Sequence, residues 1–296
     1  MPHSVPLLVI RTSSTGKATD MNTLLHSITL ELTASNTATI AATMGHQAHA
    51  LFLDLVQQTD AELAARLHDE PNYRPFTVSP LSGIRVQGET VALRPGLRCN
   101  LRFTLLDGGR IWQCLSQHFL EAGPITLRLG AAEFALNRML TTPAADPSGW
   151  AGYADWQSLA NTSATRYITL RFASPTAFSV GDKQMMLFPL PKFVWESLAR
   201  VWNNYAPEPL RVERELIGQF AEHRAVVADY DLQTATLHYP KHTQKGFLGT
   251  CTYLVQELDE CAKQMAALAE FARYSGVGYK TTMGMGQARV EHTTEG

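Results

Sequence analysis

The sequence has no apolar run long enough to span a bilayer. Its first apolar stretch, VPLLVI, is too short for a signal segment and lacks a charged flank. The four cysteines, Cys99, Cys114, Cys251 and Cys261, fall into no C-x-x-C spacing, and four in 296 residues make no disulfide framework. They read as reduced thiols, which predicts a cytoplasmic protein with no membrane partner. There is no G-x-S-x-G, no H-E-x-x-H and no G-x-x-x-x-G-K-[ST], so serine hydrolases, zincins and P-loop enzymes are set aside. His46 and His49 have the i, i+3 spacing of two metal ligands, but no pattern supplies the rest, and neither metal nor cofactor is expected. A large charge of either sign is missing too: the formal net charge is −2, which gives no general attraction to nucleic acid. The charge is unevenly spread, however. From Arg74 to Arg138 there are eight arginines and no lysine, against four acids.

What is present is regular periodicity. LHSITLELTA places Ile28, Leu30 and Leu32 on one face, a strand by period two. GHQAHALFLDLVQQ repeats Ala48, Leu51, Phe52 and Leu55 at helical spacing, and Thr59 or Asp60 can cap a second helix, AELAARLHDE. PFTVS reads as a short strand. LRCNLRFTLL alternates Leu97, Cys99, Leu101 and Phe103 inward against Arg98, Asn100, Arg102 and Thr104 outward. GRIWQCLSQHFLEAG is a helix ended by Gly123, and ITLRLGAAEFAL returns to strand. The order β-α-β-β-α-β is that of a ferredoxin-like unit. RYITLRFASPTAF, PKFVWESLARVWNNY, RVERELIGQFAEH, AVVADYDLQTATLHYP, GFLGTCTYLVQE, DECAKQMAALAEFARYSG and QARVEH give roughly the same order again. Trp195 and Trp202, seven apart on one helix face, read as core. The expected fold is therefore α+β, two tandem ferredoxin-like (RRM-like) domains. Residues 1–22 read as a loose leader, 23–142 as the first domain, 143–162 as a linker and 163–296 as the second domain.

SGVGYKTTMGMGQARV, Ser275 to Val290, has four glycines in sixteen residues directly after a helix. A dinucleotide fingerprint follows a strand and opens a helix, so the order here is reversed. A kinase glycine loop lies between two strands near the start of its domain. What remains is a helix-to-strand loop in which Gly276, Gly278, Gly284 and Gly286 surround Lys280, Thr281 and Thr282. Exposed amides, a lysine and two hydroxyls suit phosphate oxygens. A structural helix cap followed by a bulged strand fits the residues equally.

The stretch LAEFARYSGVGYKTTMGMGQARV resembles the C-terminal signature of the CRISPR-associated repeat-RNA endoribonucleases (the Cas6 type), which end in a helix, a glycine-rich loop and a last strand. Residues 45–81, from GHQAHALFLDLVQQ to RPFTVSPL, are similar to that family's first helix and following strand. FASPTAF resembles the opening of its second domain, and GFLGTCTY its late hairpin. The segments occur in family order across nearly the whole chain beyond residue 22.

The resemblance implies metal-independent cutting of the CRISPR repeat in a precursor transcript. In such a reaction the ribose 2′-hydroxyl attacks the adjacent phosphate, leaving a 2′,3′-cyclic phosphate and a 5′-hydroxyl. One group takes a proton, another gives one, and histidine suits both roles. By the resemblance the catalytic histidines fall at His49 and His68, base and acid unassigned. The end of a helix, where His68 is expected, favours a protonated imidazole and so the acid role. Arg74 matches a position where some members carry a lysine that supports the transition state. RNA contacts are expected from Gly276, Gly278, Lys280, Thr281, Gly284 and Gly286, and from the Arg98/Arg102 face. The implied partner is CRISPR repeat RNA, as precursor and as guide. Effector-complex subunits and a second copy of the chain stay open. The rival readings are a non-catalytic repeat-RNA-binding subunit, which would not need paired histidines, and a structural subunit that binds protein more than RNA.

Overall fold

The computed structural model describes residues 24–70, 74–86, 88–121, 124–182, 184–239 and 242–292. The expected leader and Gly123 lie outside them. The first half runs β1 (Leu24–Ala34), β2 (Ala38–Ala41), α1 (Gly45–Gln57), α2 (Ala61–Asp69), β3 (Phe76–Val78), β4 (Thr90–Leu93), β5 (Arg98–Leu105), α3 (Gly108–Glu121), β6 (Thr126–Leu129) and β7 (Ala132–Leu140). Its sheet has the order β3-β5-β1-β7-β6 and is antiparallel throughout. Stripped of β2, β4, β6 and α2, this is the ferredoxin-like unit expected. Asp60 caps α2 by accepting from the Leu63 amide at 3.0 Å. Pairing of β2 with β4 makes a small separate ribbon that the periodicity did not reveal, because each strand has only four residues.

The second half runs β9 (Tyr167–Thr176), β10 (Phe178–Ser179), β11 (Met185–Met186), α5 (Pro191–Tyr205), α6 (Arg214–Arg224), β12 (Ala225–Tyr239), β13 (His242–Val255), α7 (Glu260–Ser275) and β14 (Ala288–Val290). Its sheet order, β12-β13-β9-β14, is again that of a βαββαβ unit. Pro191 opens α5 at its first turn, and Asp259 caps α7 by accepting from the Ala262 amide. Trp195 and Trp202 are fully buried in this domain's core with Phe172, Phe247 and Phe271. The segment expected as a linker, 143–162, carries structure of its own. β8 (Gly152–Asp155) pairs with the start of β1, and α4 (Trp156–Ala160) packs Trp156 against Trp202 and Phe271 of the second core.

The outward face expected for β5 is corrected by the structure. Arg102 and Thr104 are buried, because α7 of the second domain covers this face of the first sheet. The Arg102 guanidinium donates to Ser27 Oγ, to the Arg273 carbonyl at 2.8 Å and to Gln287 Oε1. Thr104 Oγ1 donates to the Tyr274 carbonyl. Gln287 also donates through Nε2 to the Val78 carbonyl at 3.1 Å, so one buried side chain ties β3, β5 and the strand after the glycine loop together. A charged donor deprived of its acceptor in the interior is costly. Gln287→Ala is expected to lower stability by about 2 kcal/mol, read as a lower urea midpoint. An unchanged midpoint would remove Gln287 from this role.

Candidate active site

The glycine loop is held against protein. The amides of Gly276, Val277, Gly278 and Tyr279 donate to Ala272 O, Gly286 O, Ser197 Oγ and Ala177 O, and those of Met283 and Gly286 to Lys280 O and Pro175 O. This corrects the expectation that these amides are exposed. Gly286 has φ of +69°, and a Cβ there would overlap the Val277 carbonyl, so both its conformation and its neighbour demand glycine. Lys280, at the tip, takes the left-handed conformation with φ of +56°, uncommon for a residue with a side chain. Its amino group lies 4.7 Å from the centre of the Tyr239 ring and 5.2 Å from that of Tyr279. Burial pulls its pKa below the ordinary lysine value.

The folded loop delivers its tip, Lys280–Thr282, to the start of α1. Gly45 lies so close to the Met283 carbonyl that a Cβ would overlap it. One turn further along α1, His49 Nδ1 lies 3.0 Å from the Thr282 carbonyl. A carbonyl only accepts, so Nδ1 carries the hydrogen and the lone pair is left on Nε2. The His49 ring also sits 5.3 Å from that of Phe76. Burial first holds its pKa below the usual histidine value; the bond to Thr282 opposes this, and the charge of Arg74 adds to the lowering, followed by His46 and His68. Burial thus favours the neutral imidazole, and the bond to the Thr282 carbonyl selects its tautomer.

Phe76 and Thr282, which flank His49, also line a cleft of about 480 Å³ at the domain junction. Arg74 lines it from the first domain, its backbone amide donating to the Tyr205 hydroxyl at 3.1 Å. From the loop come Ser275, Thr281 and Thr282. Two of the residues expected to act, Arg74 and Thr281, line the cleft, and His49 adjoins it through its contacts with Thr282 and Phe76. His68 ends up near the end of α2, exposed and 2.9 Å from Asp69 Oδ1, close enough to lower the pKa of His49. The His46 ring lies edge-on to that of Tyr239, 5.8 Å between ring centres. Arg98 is exposed at the start of β5 and is not among the cleft residues, while Arg102 is locked in the interface. The four cysteines are buried or half-buried and free, and burial raises the pKa of each, which removes them as nucleophiles.

A profile of the CRISPR Cas6 N-terminal domain matches residues 24–161, and one for CRISPR-associated endoribonuclease Cas6 matches residues 170–288. The chain belongs to the Cas6 family. Among curated relatives, the CRISPR-associated endoribonuclease Cas6 of Streptococcus thermophilus is 26% identical over 125 residues, 42% of this chain and 51% of the relative. That of Mycobacterium tuberculosis is 31% identical over 131 residues, 43% of this chain and 40% of the relative. The matched region thus spans about half or less of these curated relatives. Among solved structures, a Thermus thermophilus Cas6 product complex superposes with a TM-score of 0.76 at 28% identity, covering 91% of this chain and all of that one. A Cas6 substrate mimic complex superposes with a TM-score of 0.67 at 25% identity, with the same coverage.

The part of this Cas6-family site that sequence reasoning missed comes from the second domain. Arg200, Asn204 and Tyr205, on the last turns of α5, form the opposite wall of the cleft. A signal was available: Arg200 and Asn204 are four apart, a polar stripe on the side of α5 away from buried Trp195, Leu198 and Trp202. No helix among the described residues is long and apolar enough to cross a membrane.

Proposed function

We infer that this protein cuts CRISPR repeat RNA within the precursor transcript, without a metal ion, to release guide RNAs. The observation that carries the reading is the bond from His49 Nδ1–H to the Thr282 carbonyl, which leaves Nε2 as a base beside a cleft lined by Arg74. His49 Nε2 takes the proton of the ribose 2′-hydroxyl, and the 2′-oxygen attacks the adjacent phosphorus. Arg74 faces the charge that builds on the phosphorane oxygens. The bond from phosphorus to the 5′-oxygen breaks as that oxygen gains a proton, with His68 proposed as its donor. The products are a 2′,3′-cyclic phosphate and a 5′-hydroxyl. Lys280, Thr281 and Thr282 are proposed to meet the RNA backbone, while the four glycines shape the loop that presents them. Family membership and the likeness to Cas6 product and substrate mimic complexes support the assignment of substrate.

The test is cleavage of a labelled repeat RNA from the host's own array in EDTA, beside the same RNA with a 2′-deoxyribose at the cut. Cutting that survives EDTA and stops with the deoxy substrate is expected. Cutting of the deoxy substrate, or a strict need for added metal, would overturn the mechanism. Tight binding with no cutting would leave a repeat-RNA-binding subunit instead.

A further inference from the structure

The junction cleft collects positive charge that no carboxylate among its described lining residues neutralises. Arg74 and Arg200 both line it, and no carboxylate does. Neither arginine has an ion pair among the described residues. The nearby acid on α5, Glu196, is taken by Arg214 at 3.6 Å. Arg74 Nε is buried with no hydrogen-bond partner among the described residues, although such groups are nearly always satisfied in folded proteins. Arg200 is further opposed by Arg214, a repulsion that adds to burial in lowering its pKa. The rest of the polar lining is neutral: the hydroxyls of Thr77, Ser275, Thr281, Thr282 and Tyr205, and the amide of Asn204. Two arginines lining one cleft with several hydroxyl groups, one of their fork nitrogens lacking a partner among the described residues, describe a site for an oxyanion.

We propose that this cleft binds a backbone phosphate of the RNA next to the one that is cut, with Arg200 of the second domain as its ligand across the cleft from Arg74, which faces the phosphate that is cut. The identity of the phosphate donor rests on the RNA-cutting reading above; the affinity of the cleft for phosphate does not. The strand is thereby clamped between the two domains, and a residue far from His49 in sequence sets how firmly substrate is held.

Thermal unfolding of the full chain in inorganic phosphate, against chloride at matched ionic strength, tests the site directly. At a phosphate concentration roughly ten times its Kd, the wild-type midpoint is expected to rise by about 3 °C. Arg200→Met should lose that rise and, in chloride, melt no lower than wild type, because an uncompensated charge has gone. Arg200→Lys, which keeps the charge but not the fork, should retain a smaller rise. Arg128→Met, on the far edge of the first sheet, should respond as wild type. With repeat RNA, Arg200→Met should weaken binding at every salt concentration and reduce the slope of log K against log salt by about 1. A wild-type midpoint indifferent to phosphate, or a rise that survives in Arg200→Met, overturns the site. Phosphate stabilisation in a protein that neither binds nor cuts repeat RNA would instead sink the RNA reading and leave the site standing.

Discussion

His49→Ala is expected to slow cleavage of repeat RNA by about 10²–10⁴-fold at pH 7, with RNA binding nearly intact. The ring meets the Thr282 carbonyl on one side and Phe76 on the other, so its loss removes the lone pair on Nε2 without disturbing the arginines of the cleft. The pH profile separates a base from a structural histidine. Burial is the main cause of the lowered His49 pKa, with the Arg74 charge adding to it. With His49 as base the active form is the neutral one, so activity should climb through an acid limb centred below the ordinary histidine value of 6.5 and then stay level as far as His49 is concerned. The sign for stability is the same. Between the depressed folded pKa and 6.5 the unfolded chain binds more protons than the folded one, so stability falls as pH drops through that window and is fully present above it. In His49→Ala both the acid limb and this part of the stability slope should vanish together. An acid limb that persists unchanged would assign the base to another group.

Period-two and helical patterns marked the strands and helices that bury apolar residues, and these form the two sheets and their covering helices. Period alone failed where a polar residue is buried by a distant part of the chain. In β1, Ile28, Leu30 and Leu32 face one core as their spacing demands, yet Ser27 and Thr29 on the other side are buried as well. The same holds for Arg102 and Thr104, whose donors are satisfied by carbonyls at residues 273 and 274. A sheet face polar in sequence reads as solvated, and nothing local reports that a second domain will cover it. The glycine stretch was legible as a place of close approach, but glycine does not say what approaches. Here it is the chain itself: Ala177 and Pro175 accept from its amides, and Gly45 accommodates its Met283 carbonyl. His49 was legible through the family pattern of its helix. Its partner Thr282, 233 residues away, and the α5 wall of the cleft became visible only in the fold.

The approach of the loop to α1 leads to the second large expected effect. Alanine is normally the better helix residue, and a glycine inside a helix costs about 1 kcal/mol against it. Gly45→Ala at the head of α1 should therefore stabilise the protein if only propensity mattered. A Cβ at Gly45 would overlap the carbonyl oxygen and carbon of Met283, both backbone atoms, and backbone at that point does not swing aside as a flexible side chain would. The loop must lift, and Thr282, the preceding residue, lifts with it, so the bond that fixes His49 lengthens or breaks. A displacement of about 1 Å at a catalytic group can cost roughly 10²-fold in rate, and Gly45→Ala is expected to lose kcat by about that factor. Losing the Thr282 bond also removes the one interaction that raises the His49 pKa, so the acid limb should move to lower pH in the residual activity. That combined change separates loss of positioning from simple unfolding, which would lower the amount of active enzyme and leave the limb in place. If Gly45→Ala is fully active and more stable, the contact between the glycine loop and α1 does not govern the site.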